Sequence, residues 1–318
     1  MDLQRRGESI GRVGGHGAVQ AIFHQRFRAA PLLFAAAITS CCAALPVRAQ
    51  MANDSDATSS RAAREEAARA IPWQMLAPNE RNLTQSIVSG AGIYRRLPTR
   101  VIDCDPAMFT FLVQHPEVIA DVWRVMGVSR VKLDKMAEGA FRGNDGAGTT
   151  GTVRFLASEW GPEARNTAVV LAEGAYDGKP FVMPLKARTI MLMRSSAVRE
   201  RNGRYYVTVR ADAFIHVDQM AVELVAKTVQ PWVNATADRN LIETLTFVSN
   251  FSRTAEKNPE GMKRMAARLT MIDEPTRNEL VQLCHQTAQR YGQLEPSWQA
   301  GGMAVVQRRG FQSRYGPP

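Results

Sequence analysis

The sequence predicts an α+β fold: an antiparallel β-meander packed against amphipathic helices. Three observations carry that expectation. Tyr205–Val217 alternates strictly, with Tyr205, Val207, Val209, Ala211, Ala213, Ile215 and Val217 on one face. Tyr206, Thr208, Arg210, Asp212, His216 and Asp218 share the other face, with Phe214 as an exception. Such alternation describes a strand with one covered face and one wet face. Asn202-Gly203, Asp177-Gly178 and Asn144-Asp145-Gly146 punctuate the middle of the chain, and such pairs are hairpin turns because both residues accept positive φ. On either side of that stretch, apolar residues recur at helical spacing.

At the N-terminus, Arg26 and Arg28 precede the apolar run Ala29 to Ile38, followed by small residues and Pro46-Val47-Arg48-Ala49. That is the layout of a bacterial-type export signal cut after Ala49, with small residues at −3 and −1. Its apolar core is shorter than the roughly 20 residues that span a bilayer. Ile38-Thr39-Ser40-Cys41 also loosely fits a lipobox, so a lipid anchor at Cys41 is the alternative to a free periplasmic or extracellular protein. Residues 1–25 are long for an n-region, which a later start codon would explain.

Past the signal, 50–98 reads as a flexible or partly helical arm: a polar linker, a helical stretch over 60–70, then a loosely structured run with Pro72, Pro78, Gly90, Gly92 and Pro98. The α+β core spans 99–257. It opens with a short strand at Arg100-Val101-Ile102-Asp103-Cys104. Asp105-Pro106 starts a helix, Asp capping and Pro in the first turn, that buries Met108, Phe109, Phe111 and Leu112. A second helix begins at Pro116 and ends at Gly127. Hairpins then pair 131–141 with 151–160, 167–175 with 181–191, and 185–198 with Tyr205–Val217, about five or six strands in all. A helix over 220–229 is interrupted by Pro231, and Asp238 caps a longer one through Lys257. C-terminal helices over 258–291 pack on the core, the last from Glu274 to Tyr291. The tail at 292–318 is disordered by composition.

The order strand, two short helices, antiparallel meander, long helix resembles the helix-grip arrangement of the START-like superfamily over about residues 99–257. The resemblance rests on the signals from Asp105-Pro106 through Asn202-Gly203 to the helix after Asp218. It implies a sheet curled around the C-terminal helix with an apolar cavity between them. Phe155, Met191, Met193, Tyr205, Val207 and Val209 would then line a pocket for an apolar or lipid-like ligand. In an unrelated α+β domain the same residues are simply core.

Catalytic signals are sparse. His115, His216 and His285 are far apart, with no HExxH or paired-cysteine spacing, so no metal is expected. The glycines at 143–148 lack the Lys-Ser/Thr of a phosphate loop and suit a hairpin tip. His216 shares a strand face with Asp212 and Asp218, and Asp103 and Asp105 stand two apart; either set could serve acid–base chemistry or be structural. Cys104 and Cys284 could pair in an oxidising compartment or be two small buried hydrophobes. The formal charge of +10 in 318 residues falls to +6 once the leader's six arginines and two acids are set aside. That balance suits a solvated basic surface or attraction to an anionic envelope. Export and the lack of a binding motif disfavour nucleic acid.

The reading is an exported, non-enzymatic protein that needs no cofactor and binds an apolar ligand or an envelope partner. A structural envelope component with no ligand pocket is the alternative. A hydrolase- or cyclase-like enzyme using Asp103, Asp105 or His216 is a further one.

Overall fold

The computed structural model describes residues 57–178, 184–218 and 222–292. The stretch expected to be an export signal, residues 179–183 and 219–221, and the tail expected to be disordered after Gly292 lie outside them.

Ser60 opens the first helix, α1 (Arg61–Arg69), its hydroxyl accepting from the Ala63 amide at 3.2 Å. Helix α2 (Pro78–Gly90) follows a short 3₁₀ turn, and β1 (Ile93–Arg96) follows α2. Strand β2 (Arg100–Asp103) then leads into α3 (Pro106–Gln114) and α4 (Pro116–Val125). The Asp105 carboxylate accepts from the Ala107 and Met108 amides, as its place before Pro106 predicts.

The meander is β3 (Lys132–Ala137), β4 (Ala140–Asn144), β5 (Thr149–Trp160), β6 (Asn166–Tyr176), β7 (Leu185–Arg199) and β8 (Tyr205–Val217). The remaining helices are α5 (Val222–Lys257), α6 (Pro259–Ala266) and α7 (Glu274–Tyr291). The sheet is antiparallel, in the order β1-β8-β7-β6-β5-β4-β3, with β2 also on β8. β1 and β2 lie end to end along the free edge of β8: Ile93 to Arg96 pair with Ile215 to Asp212, and Arg100 to Asp103 with Val209 to Tyr206. Leu97 carries the ladder across the bend by donating to the Ala211 carbonyl at 2.9 Å.

Register parity sorts the sheet into two faces. The inner face carries Ile102, Val153, Ala168, Val170, Ala197, Val207, Val209 and Ile215. Its main cluster joins Ile102, Val207 and Val209 to Leu245, Val248 and Phe251 of α5, to α3 and α4, and to Leu280 and Cys284 of α7. The outer face carries Tyr94, Val169, Leu171, Ile190, Leu192 and Phe214, covered by Ala63 and Ala67 of α1 and Ile87 and Val88 of α2. A bulge at Leu156 lets Leu156 and Ala157 both join that outer cluster.

Several expectations are corrected. The alternation along β8 does not leave one face wet: Phe214 and Asp212 are both fully buried there. The expectation of a loosely structured run over 71–100 gives way to α2 and β1, which help build the cover. That cover was hard to read because α1 packs through two alanines, which leave no apolar stripe in a sequence of charges. Pro231 does not end a helix. α5 runs through it, and Pro231 is exposed, where water can replace the missing backbone donor. Asp238 is therefore no cap; its carboxylate pairs with Arg95 across to β1, Arg95 Nε donating to Oδ1 at 3.0 Å. The stretch 131–141 is two strands, β3 and β4, turned at Gly139 with φ +65°.

Cys104 and Cys284 enter the same apolar cluster as free thiols. No helix among the described residues is long and apolar enough to cross a membrane.

Candidate functional site

On the inner face, neighbouring strands place side chains in rows. Phe155, Val170, Met191 and Ala213 form one row across β5 to β8, and Ser158, Ala168, Met193 and Ala211 form the next. Val153, Ala168 and Val170 are buried beneath Phe155, Trp160, Met191 and Met193, which are each partly exposed. The aromatic members meet edge to face: Phe155 lies 5.9 Å from Trp160 and 6.4 Å from Phe141, centroid to centroid. Every member of this cluster belongs to the sheet.

The long helix packs to one side of it. Val233 of α5 sits on Ile93 and Ile215, and further along Leu245, Val248 and Phe251 sit over β2 and the start of β8. The inner face is thus sealed at β1, β2 and β8, and half-covered over β5 to β7.

The six residues read from sequence as pocket-lining all point to this face, and the structure divides them. Phe155, Met191 and Met193 meet in the half-covered patch. Val207 and Val209 are at most 1% exposed within the closed core and offer no surface to a ligand. Tyr205 is half-buried near the β7–β8 turn, with the Arg199 guanidinium 5.9 Å from its ring centre.

The candidate acid–base residues are dispersed. His216 Nδ1 donates to the Gly90 carbonyl at 2.7 Å, and its other nitrogen lies 3.4 Å from Asp218, leaving Asp212 elsewhere. Asp103 accepts from Arg204 at 3.0 Å and from Arg253 at 2.8 Å. Arg204 also reaches Glu256 at 2.8 Å and lies over the Tyr291 ring, tying the β7–β8 turn to α5 and α7. Asp105 is held by its cap role and by Arg290. Among the described residues, no three His, Cys, Asp or Glu side chains are grouped to hold a metal. A separate cleft of ≈ 450 Å³ opens beside β3 and the α6–α7 connection, lined by Glu117, Lys135, Glu138, Met271 and Asp273 among others.

The outer face holds a buried ionic network that the sequence reading passed over. Asp212 is fully buried; its Oδ1 accepts from Tyr94 Oη and from Arg96 Nε, both at 2.7 Å. Oδ2 accepts from Arg194 Nη2 at 3.3 Å. Glu66 of α1 accepts from Arg96 at 3.0 Å and from Arg210 at 2.8 Å. Burial, with the hydrogen bond to Asp212, pushes the Tyr94 hydroxyl pKa up. Burial works against the Glu66 carboxylate, but Arg96 and Arg210 outweigh it and hold its pKa below the usual range. Burial and the adjacent Arg210 lower that of Arg194. The signal for this network was the spacing of Arg210 and Asp212 on one strand face.

No protein-family model matches the chain, and no curated protein matches it in sequence.

Proposed function

We propose that the protein is an exported, non-enzymatic binder of an apolar or lipid-like ligand, built on a START-like helix-grip plan. One observation carries this reading: the patch of Phe155, Trp160, Met191 and Met193 on the inner face, left half-covered beside the long helix while the rest of that face is sealed. Flexible thioethers and edge-to-face aromatics adapt to ligands of varied shape. Supporting it is the element order: β2, two short helices, a six-strand meander and a 36-residue helix. A binding role also suits Asp103, Asp105 and His216, each committed to a separate structural partner.

The test is titration of the full chain with a fluorescent long-chain fatty acid, alongside a native mass spectrum for co-purified lipid. Saturable one-to-one binding is expected, with loss of at least tenfold in affinity for Met191→Glu, which places a charge in the patch at a partly exposed position. Absence of saturable binding together with a lipid-free native spectrum would overturn the reading. Export is checked separately by the mass of the mature N-terminus, beginning at Gln50 or carrying lipid on Cys41.

A further inference from the structure

The outer-face network is not charge-balanced. Arg96, Arg194 and Arg210 face two carboxylates, Glu66 and Asp212, which leaves one positive charge in excess. The excess is localised. Arg96 is satisfied by Asp212, by Glu66 and by the Ala63 carbonyl. Arg210 gives Nη2 to Glu66, while its Nε lies 3.8 Å from Asp212, beyond hydrogen-bond distance. Arg194 has a single long bond, 3.3 Å, to Asp212. The Nε atoms of both Arg194 and Arg210 are buried without a partner.

These two arginines are directly opposed across β7 and β8. Like charges so placed repel, and the one carboxylate oxygen near both, Asp212 Oδ2, lies 3.3 Å from Arg194 and 3.8 Å from Arg210. Their side chains are 32% and 30% exposed, so an ion from solvent can reach both. Hydroxyls flank them on the same face: Thr167 opposite Arg194 on β6, and the opposed pair Ser196 and Thr208 in the next row. All three are half-buried.

We propose that Arg194 and Arg210, with Thr167, Ser196 and Thr208, form a binding site for a phosphate-type oxoanion. Two guanidinium forks on adjacent strands call for oxygens pointing in two directions. A tetrahedral phosphate supplies them, whereas a planar carboxylate fills one fork. One net negative charge, as on a phosphodiester or a singly ionised phosphate, neutralises the cluster. The hydroxyls donate to the remaining oxygens. The site faces away from the inner apolar patch and stands independently of the function proposed for it.

The source of the phosphate is separated by two arms of one experiment. The thermal midpoint of the full chain is followed against inorganic phosphate, with chloride matching the ionic strength. In parallel, the chain is sedimented with phosphatidylglycerol–phosphatidylcholine vesicles and with phosphatidylcholine alone. A saturable rise in midpoint assigns the site to free phosphate; capture by the anionic vesicles without that rise assigns it to a lipid headgroup. In whichever arm responds, Arg194→Gln raises the apparent dissociation constant at least tenfold. Arg194→Lys, which keeps the charge and loses the fork, does nearly as much, and Thr208→Val weakens binding several-fold. The proposal is overturned if neither arm responds, or if Arg194→Gln responds as wild type does. Should Arg194→Gln fail to fold, an unaltered response in Thr208→Val overturns it equally.

Discussion

Replacing Asp212 by asparagine probes how far the outer-face network holds the N-terminal helices on the sheet. The substitution preserves volume and removes one charge at a side chain with no solvent exposure. Tyr94 and Arg96 lose a charged acceptor at 2.7 Å, and the asparagine amide, if turned toward Arg194, presents a donor to a donor. Arg96 and Arg210 would then keep only Glu66 as a carboxylate partner, and Arg194 none. Breaking a buried ion pair from one side costs about 3–5 kcal/mol, because the partner charge stays buried. With a urea slope of about 3 kcal/mol/M for a chain of this size, the midpoint falls by about 1 to 1.7 M. The control is Glu66→Gln. Glu66 touches Arg96 and Arg210 as closely, but its side chain is 52% exposed, so water replaces what is lost and the cost is about 1 kcal/mol or less. The assay is urea unfolding of both variants by circular dichroism and tryptophan fluorescence, with slopes compared to wild type. A D212N midpoint within about 0.3 M of wild type, or one equal to that of E66Q, would mean that Asp212 does not hold the network together.

Other outcomes are set by packing elsewhere in the molecule. Truncation at residue 91 uncovers Val169, Leu171, Ile190, Leu192 and Phe214. At about 1.5–3 kcal/mol for each buried side chain, the loss rivals the whole stability of a domain, so the truncated chain should not fold as judged by near-ultraviolet dichroism. Burial pushes the Cys284 thiol up to about 12 and raises that of Cys104 as well. In the unfolded chain both ionise from about pH 8.5. Their contribution is therefore complete below that pH and is lost as pH rises toward the folded values. The urea midpoint should fall between pH 8 and 10 (roughly the window set by the free thiol), less so in a Cys104→Ala/Cys284→Ala variant. Peptide mapping should find both thiols unlabelled by maleimide in the native protein. Gly148→Ala places a methyl 2.5 Å from the Asp177 carbonyl at φ +111°, and should cost about 1–3 kcal/mol in the same assay.

Much of the fold was legible where local chemistry and packing agree. Asn202-Gly203 makes the β7–β8 turn, with Gly203 at φ +79°. Asp105 caps the helix whose start it marks, and Glu274–Tyr291 is the last helix. The reading failed where a residue's role is set by a distant partner. Asp238 looked like a cap because nothing near it in sequence reveals Arg95, 143 residues away. Arg210 and Asp212 looked solvated because their partners, Tyr94, Arg96 and Glu66, lie more than a hundred residues earlier. For the candidate site, strand parity named the correct face for all six residues. It could not tell Val207, beneath α5, from Met191, beside it, because alternation records the direction of a side chain and not what covers it.

The two faces of one sheet therefore do different work. On the inner face, apolar residues meet a helix that covers the β1–β2–β8 side and leaves β5 to β7 half-open. On the outer face, the cover is complete over Phe214, Ile190 and Leu192, and the cost of burying Asp212 there is offset by specific partners. Those partners come from β1 as well as from β7 and β8, and Glu66 extends them to α1. A helix with two buried alanines has little apolar area with which to hold itself in place. Its register on the sheet then depends on Glu66 and on the Ala63 carbonyl, which accepts from Arg96 at 3.2 Å and stands 3.0 Å from the Tyr94 hydroxyl, whose one proton goes to Asp212. Asp212 orients those two donors, so D212N should loosen α1 before it loosens the inner core. Hydrogen exchange would register this as a larger acceleration over Arg61–Arg69 than in α3 and α7, whose core amides speed up only by the loss of global stability. Equal acceleration in all three helices would show instead that the network stabilises the domain as a whole and does not act on α1 in particular.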